Sequence, residues 1–383
     1  MSTSRLQNIN RLAEGWVRDE VAQTIVLLAA RRGRIVLHRA FGRLSSSAES
    51  PPTPLNALFN TASIGKVITA TAVMVLVEEG RVGLNRPVAA YFPEFRGEGK
   101  DAVLVRHLLT HTSGLRDEEV DRYARDQDGR VPIPPAPEGM HPITNEYLVV
   151  RYGAPLWKRP GEEMSYCSIG YELLGELVRR ASGLPLDRFA SQRIFRPLGM
   201  VDTSYCEVDL PQDRRTLVPS YILEEAESEK RARLTERLCW GSASTVSTAL
   251  DQAVFCQMFL NRGEYGDARI LSPASVAAMT RNQIPGLRAQ FYHEEFPEAS
   301  YGLGWSIHGT KTGRCGGLYS PEAYEHWGAG GTYVWVDPTH DLIGVYFTAG
   351  TKDRADDGLA GRMAKSFRND LFTDALTAAI MEV

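Results

Sequence analysis

The sequence is short of several things that would have fixed its class at once. Its five cysteines, Cys167, Cys206, Cys239, Cys256 and Cys315, are odd in number and form no C-x-x-C pair. That excludes a disulfide scaffold, and they read as reduced, mostly buried thiols. No stretch reaches the roughly eighteen apolar residues of a membrane span, so no membrane partner is expected. Lys and Arg total 43 against 47 Asp and Glu, and no basic block interrupts the mixture, which argues against a nucleic-acid partner. The opening residues, MSTSRLQNINRLAEGWVRDE, hold no apolar core of signal-peptide length, and a cytoplasmic location is expected. H-E-x-x-H is missing, and the His107 and His111 pair at i, i+4 reads as structural. No metal and no cofactor is expected. G-x-S-x-G is missing as well, and before Ser63 the first glycine is replaced by Thr61, so an α/β-hydrolase elbow is excluded. Internal repeats and low-complexity tracts are absent.

What is present suits one large domain or two interleaved ones: 383 residues, of which 43% are hydrophobic. Residues 5–20 read as an amphipathic helix with Leu6, Ile9, Leu12 and Val17 toward one face. Two β-rich runs flank Arg31-Arg32-Gly33-Arg34, a hairpin signal. Ser63 to Glu79 is helix-competent, apolar nearly all round and closed by Gly80, which places that helix in a core. Helical segments joined by Pro and Gly turns follow to about residue 285. Strand patterns return in YGLGWSIHG, GGTYVWVDP and LIGVYFTAG, and a last helix is expected over about 358–381. The pattern predicts an α+β fold. One antiparallel sheet is built from both termini (1–80 and 286–383) and flanked by helices, with a mostly helical domain (81–285) inserted and the active site between them.

Ser63-Ile64-Gly65-Lys66 stands where that apolar helix begins. Serine is a favoured helix cap, which is the ordinary reading. The alternative uses the same geometry. Residues three apart share a helix face, so Lys66 projects beside Ser63, and the helix N-terminus favours a developing oxyanion. A lysine in apolar surroundings finds a partner or loses its proton, and the second option makes a base. From an ordinary value near 10.4, acting at neutral pH requires a fall of about 3 pH units, roughly 4 kcal/mol. A second polar group sharing the proton is therefore expected. Tyr166, in Tyr166-Cys167-Ser168 ahead of another helix, is the tyrosine followed two positions on by Ser or Asn. The third part should be a strand edge. His326-Trp327-Gly328, followed by an apolar strand ending in Val336-Asp337-Pro338, fits better than the literal Lys311-Thr312-Gly313, which reads as a turn between strands.

These three segments, in this order, resemble the serine β-lactamase and penicillin-recognising superfamily, in its class C-like branch with the family VIII carboxylesterases, transesterases and DD-peptidases. RHLLTHTSGL (106–115), RPLGMVDTSY (196–205), STVSTALDQAVFCQMFLNRG (244–263) and YGLGW (301–305) resemble segments of the same branch. The resemblance implies Ser63 as acylated nucleophile, Lys66 as its base and Tyr166 as the proton-handling residue. The oxyanion hole would come from the backbone N–H groups of Ser63 and Ala329. Ser168 stands where many members have Asn, and His326 and Trp327 stand where β-lactamases have Lys and Thr. Less fixed charge and more apolar surface there favour a small neutral ester over a β-lactam or an acyl-D-Ala-D-Ala amide. Among the tryptophans, Trp305 is expected nearest the substrate.

Overall fold

The computed structural model describes residues 1–45, 47, 49–216, 237–291, 294–310, 315–349 and 368–382. Lys311-Thr312-Gly313 and the 358–367 part of the expected last helix lie outside the described residues.

Helix α1 (Thr3–Arg18) starts on Ser2, whose hydroxyl accepts the Arg5 N–H. Its buried stripe is Ile9, Ala13 and Trp16, while Leu12, expected on that face, is 36% exposed. Strands β1 (Thr24–Arg31) and β2 (Arg34–Gly42) form the expected hairpin, with Arg32 and Gly33 both left-handed at φ 50° and 72°. This is the conformation of a two-residue turn matched to strand twist. From the other end of the chain come β3 (Ser306–Ile307), β4 (Tyr324–Gly328), β5 (Thr332–Asp337) and β6 (Leu342–Ala349). The six make one antiparallel sheet in the order β3-β4-β5-β6-β1-β2, with β1 and β6 pairing Val26 to Phe347 and Leu28 to Val345. Among the described residues, the first and last strands of the chain are thus paired neighbours in the sheet.

YGLGWSIHG is strand over two residues alone, because Gly304 turns at φ 96° and Tyr301 bridges back to Ser306.

Both sheet faces are covered, which explains why β1 and β6 read as continuous apolar runs. Ile25, Leu27, Ala29, Tyr333, Trp335 and Tyr346 pack under α1 and the C-terminal helix α5 (Asn369–Thr377), against Phe372 and Leu376. Val26, Leu28, Val334, Val336, Val345 and Phe347 face helix α2 (Gly65–Glu78) and the helical part of the chain. Twelve consecutive residues of α2, Gly65 to Leu76, are buried. Helix α3 (Ser168–Ser182) packs against α2, and α4 (Ala249–Leu260) lies on the sheet at β1, β5 and β6. Short strands the sequence did not signal add small sheets in the helical part, among them Met164–Ser165, which pairs in parallel with Ala289–Phe291.

Candidate active site

Ser63 does not cap a helix. It sits in a 3-10 turn, Ala62–Ile64, that runs into α2, and no side chain caps either element. The turn is pinned from behind. Thr61 N–H donates to the Thr245 carbonyl at 2.8 Å, their hydroxyls meet at 2.6 Å, and Asn60 Oδ1 accepts the Ala62 N–H at 2.9 Å. Ala62 itself is held at φ 46°, a left-handed conformation that a residue with a Cβ avoids and that is tolerated where surrounding structure imposes it. Strain immediately before a half-buried serine marks Ser63 as more than a helix start.

Lys66, 1% exposed, sends Nζ to Ser63 Oγ at 3.0 Å and to the Ser242 carbonyl at 3.1 Å. Burial lowers its proton affinity to about 8, while Asp117, Glu172 and the Cys167 thiol pull it back upward. The fall is smaller than sequence reasoning required, because two carboxylates stand near the ammonium.

Tyr166 lies 4.9 Å from the Lys66 ammonium, measured to its ring centre, and the nearby Ser63 hydroxyl favours its ionised form. Burial nevertheless raises the phenol above its ordinary value, so Tyr166 is a neutral O–H donor at rest. Its ring is held in an aromatic cluster, 4.4 Å from His111 and stacked on Trp327 at 5.9 Å and 19°. His111, at φ 57°, lies beyond the helical turn Val105–Leu109, so it shares no helix face with His107. Its Nδ1 accepts the Cys167 N–H at 3.0 Å, and burial keeps the ring neutral. His107 instead accepts the Leu104 N–H at the start of that turn.

The third segment forms the end of β4. A Cβ on Gly328 would lie 2.1 Å from the Thr61 carbonyl oxygen and 2.3 Å from Thr332 Oγ1, and Thr332 in turn donates to that carbonyl at 3.1 Å. Only glycine lets the strand end approach this close, and the approach sets the turn carrying Ala329 beside the one carrying Ser63. His326 is 2% exposed, its Nδ1 donates to the Trp327 carbonyl at 2.9 Å, and its Nε2 faces the Tyr301 hydroxyl at 3.3 Å. Burial and the Lys66 charge lower it to about 3, so His326 is neutral at physiological pH, where sequence reasoning allowed partial charge. Trp327 is partly exposed beside Tyr166.

The match to the family model described as Beta-lactamase spans residues 9–366. The chain belongs to the beta-lactamase family. A protein of Salmonella schwarzengrund named "Putative D-alanyl-D-alanine carboxypeptidase" is 26% identical over 88% of this chain and 81% of its own. Two solved structures share the fold. A family VIII carboxylesterase is 21% identical with TM-score 0.70, covering 96% of this chain and 97% of its own. A penicillin-binding protein homologue from Caulobacter crescentus is 22% identical with TM-score 0.73, covering 99% of both chains.

Within this beta-lactamase-family fold, Ser63, Lys66, Tyr166, His326, Trp327 and Gly328 lie close together, and Ser168, two positions after Tyr166, is the first residue of α3. Trp305 does not join them. It is fully buried, edge-on to Phe259 and Tyr324 at 5.2 and 5.0 Å, because the Gly304 turn directs it into the core beneath the sheet.

Two residues of the site were missed. Asp117 accepts the N–H groups of Ser168, at 2.9 and 2.8 Å to its two oxygens, and of Ile169 at 3.2 Å, so it caps α3 from fifty residues away with no local signal. Glu172, 5% exposed, shares a face of α3 with Ile169 and Leu173, and a carboxylate inside that apolar stripe was the legible sign. A cavity of about 400 Å³ is lined by Leu148, Glu172, Gly175, Leu186 and Cys239 among others; Ser63 has no part in it. Among the described residues no helix is long and apolar enough to cross a membrane.

Proposed function

We propose that this beta-lactamase-family protein is a serine hydrolase that works through an acyl-enzyme on a small neutral ester. The observation that carries the reading is the 3.0 Å contact between Ser63 Oγ and a buried lysine whose proton affinity has fallen to about 8. Neutral Lys66 takes the Ser63 proton as Oγ bonds to the ester carbonyl carbon. The backbone N–H groups of Ser63 and Ala329 receive the negative oxygen. Collapse breaks the bond to the alcohol, which takes the Tyr166 proton, and Lys66 returns a proton to the phenol. Water, or a second alcohol in acyl transfer, then attacks the ester at Ser63 by the same steps reversed.

The neutral ester is favoured because the strand edge beside Ser63 presents neutral His326 and the partly exposed Trp327 ring. A fixed cation for a substrate carboxylate would contribute about 1.5–3 kcal/mol, and neither residue supplies one. The second reading, a DD-peptidase, amide hydrolase or weak β-lactamase on the same residues, draws on the name of the Salmonella relative. A panel of p-nitrophenyl esters, D-amino-acid amides and nitrocefin separates the two. Turnover of amides or nitrocefin equal to that of the best ester favours the second. Fluorophosphonate labelling tests the shared machinery. Wild type should label at Ser63 and Ser63→Ala should not, with the fold unchanged. An unlabelled wild type would make the chain a binding protein.

A further inference from the structure

Two glutamates of α3 point away from solvent, and they are answered differently. Glu176 pairs with Arg179 at 2.7 Å and Arg180 at 2.6 Å. Glu172 has no basic partner in an ion pair among the described residues. Its Oε2 accepts the Gly241 N–H at 2.8 Å and its Oε1 the Ser242 N–H at 3.1 Å. Burial pushes this carboxyl above its ordinary value, and the backbone N–H groups on both oxygens oppose that by favouring the ionised form. The carbonyl of that same Ser242 accepts Lys66 Nζ, which leaves the ammonium aimed at Ser63.

We infer that Glu172 is a positioning residue for Lys66: it fixes the Ser242 carbonyl that orients the lysine, and its charge favours the ammonium in a buried site. This rests on the reading of Lys66 as the base for Ser63. The groups that act on Lys66 are Asp117, Glu172 and the Cys167 thiol, which favour its charge, and His111 and His326, which are disfavoured as cations by it. Tyr166 and Tyr171 present ring faces at 4.9 and 5.9 Å. Both histidines are neutral, so the field comes from Asp117 and Glu172, which burial raises and their backbone N–H partners pull back toward the charged form. Asp117 does so from the α3 cap without touching the Ser242 loop; Glu172 alone combines charge with a hydrogen-bonded path to the lysine.

The test is the pH dependence of kcat/KM for an ester in wild type, Glu172→Gln, Glu172→Asp and Asp117→Asn, with fluorophosphonate labelling of each. Losing a neighbouring negative charge lowers the pH at which Lys66 becomes neutral. The acid limb of Glu172→Gln should therefore move down by roughly one pH unit, and its plateau should fall by about tenfold as the loop loosens. Asp117→Asn should shift the limb with a smaller loss of plateau. Glu172→Asp keeps the charge and shortens the reach, so its limb should stay at the wild-type pH while its plateau falls. A wild-type limb in Glu172→Gln, or a wild-type plateau in Glu172→Asp should the glutamine variant not fold, overturns the inference. If wild type itself is not labelled at Ser63, it is the functional reading that fails.

Discussion

Replacing Gly328 with alanine is the smallest change that should separate the two halves of the candidate oxyanion hole. The added Cβ would stand 2.1 Å from the Thr61 carbonyl oxygen, where contacts under 3.0 Å do not persist, so strand end and nucleophile turn must part by roughly 0.9 Å. Neither side yields easily. Thr61 is tied to Thr245 by backbone and hydroxyl bonds, and Gly328 pairs with Thr332 in the β4–β5 ladder. A misplacement near 1 Å of groups around a reacting centre costs about a hundredfold in rate, and loss of one oxyanion donor about 10²–10³. We therefore expect kcat/KM for a short ester to drop about a hundredfold in Gly328→Ala, with fluorophosphonate labelling slowed in parallel. Overpacking should destabilise the fold by about 1–3 kcal/mol in urea titration. Gly33→Ala is the control, since its position is left-handed with no atom within 4 Å of an added Cβ. It should cost about 1–2 kcal/mol of stability and leave kinetics unchanged. Wild-type kcat/KM in Gly328→Ala would refute the account of how the strand end and Ser63 are held together.

Three further outcomes follow from the same geometry. With Lys66 neutral only above about 8, kcat/KM should rise roughly tenfold per pH unit from pH 5 to 7 and level off above 8; a profile already flat at pH 6 would point to a different base. Lys66→Ala and Tyr166→Phe should each lose nearly as much rate as the double variant, because one proton passes between them, whereas additive losses would show independent roles. Trp327→Ala, which removes the wall stacked on Tyr166, should lower ester turnover more than any nitrocefin turnover; equal losses in steady-state kinetics on both would remove Trp327 from substrate choice.

What local sequence settles is settled by local geometry. The three-residue spacing of Ser63 and Lys66 puts them on one side of a helical turn wherever that turn is packed. Arg32-Gly33 can close a hairpin because two adjacent residues there accept positive φ. The unbroken apolar runs of β1, β6 and α2 dictate burial on all sides, which is why sheet, covering helices and central helix were legible. Trp305 was misplaced because periodicity says that a tryptophan is buried or edge-lying but not which of two apolar surfaces receives it; one turn at Gly304 decided that. The start of α3 was legible but its cap was not, because Asp117, the first residue of the helix Asp117–Asp126, reaches it from fifty residues away. Above all, the chemistry of Lys66 could not be read along the chain. Its proton affinity is the balance between desolvation, which depends on how completely α2 is enclosed, and the fields of Asp117 and Glu172, which only the packing of α3 against α2 brings near. Electrostatic energies depend on distance in space and on exclusion of water, and both are properties of the folded molecule.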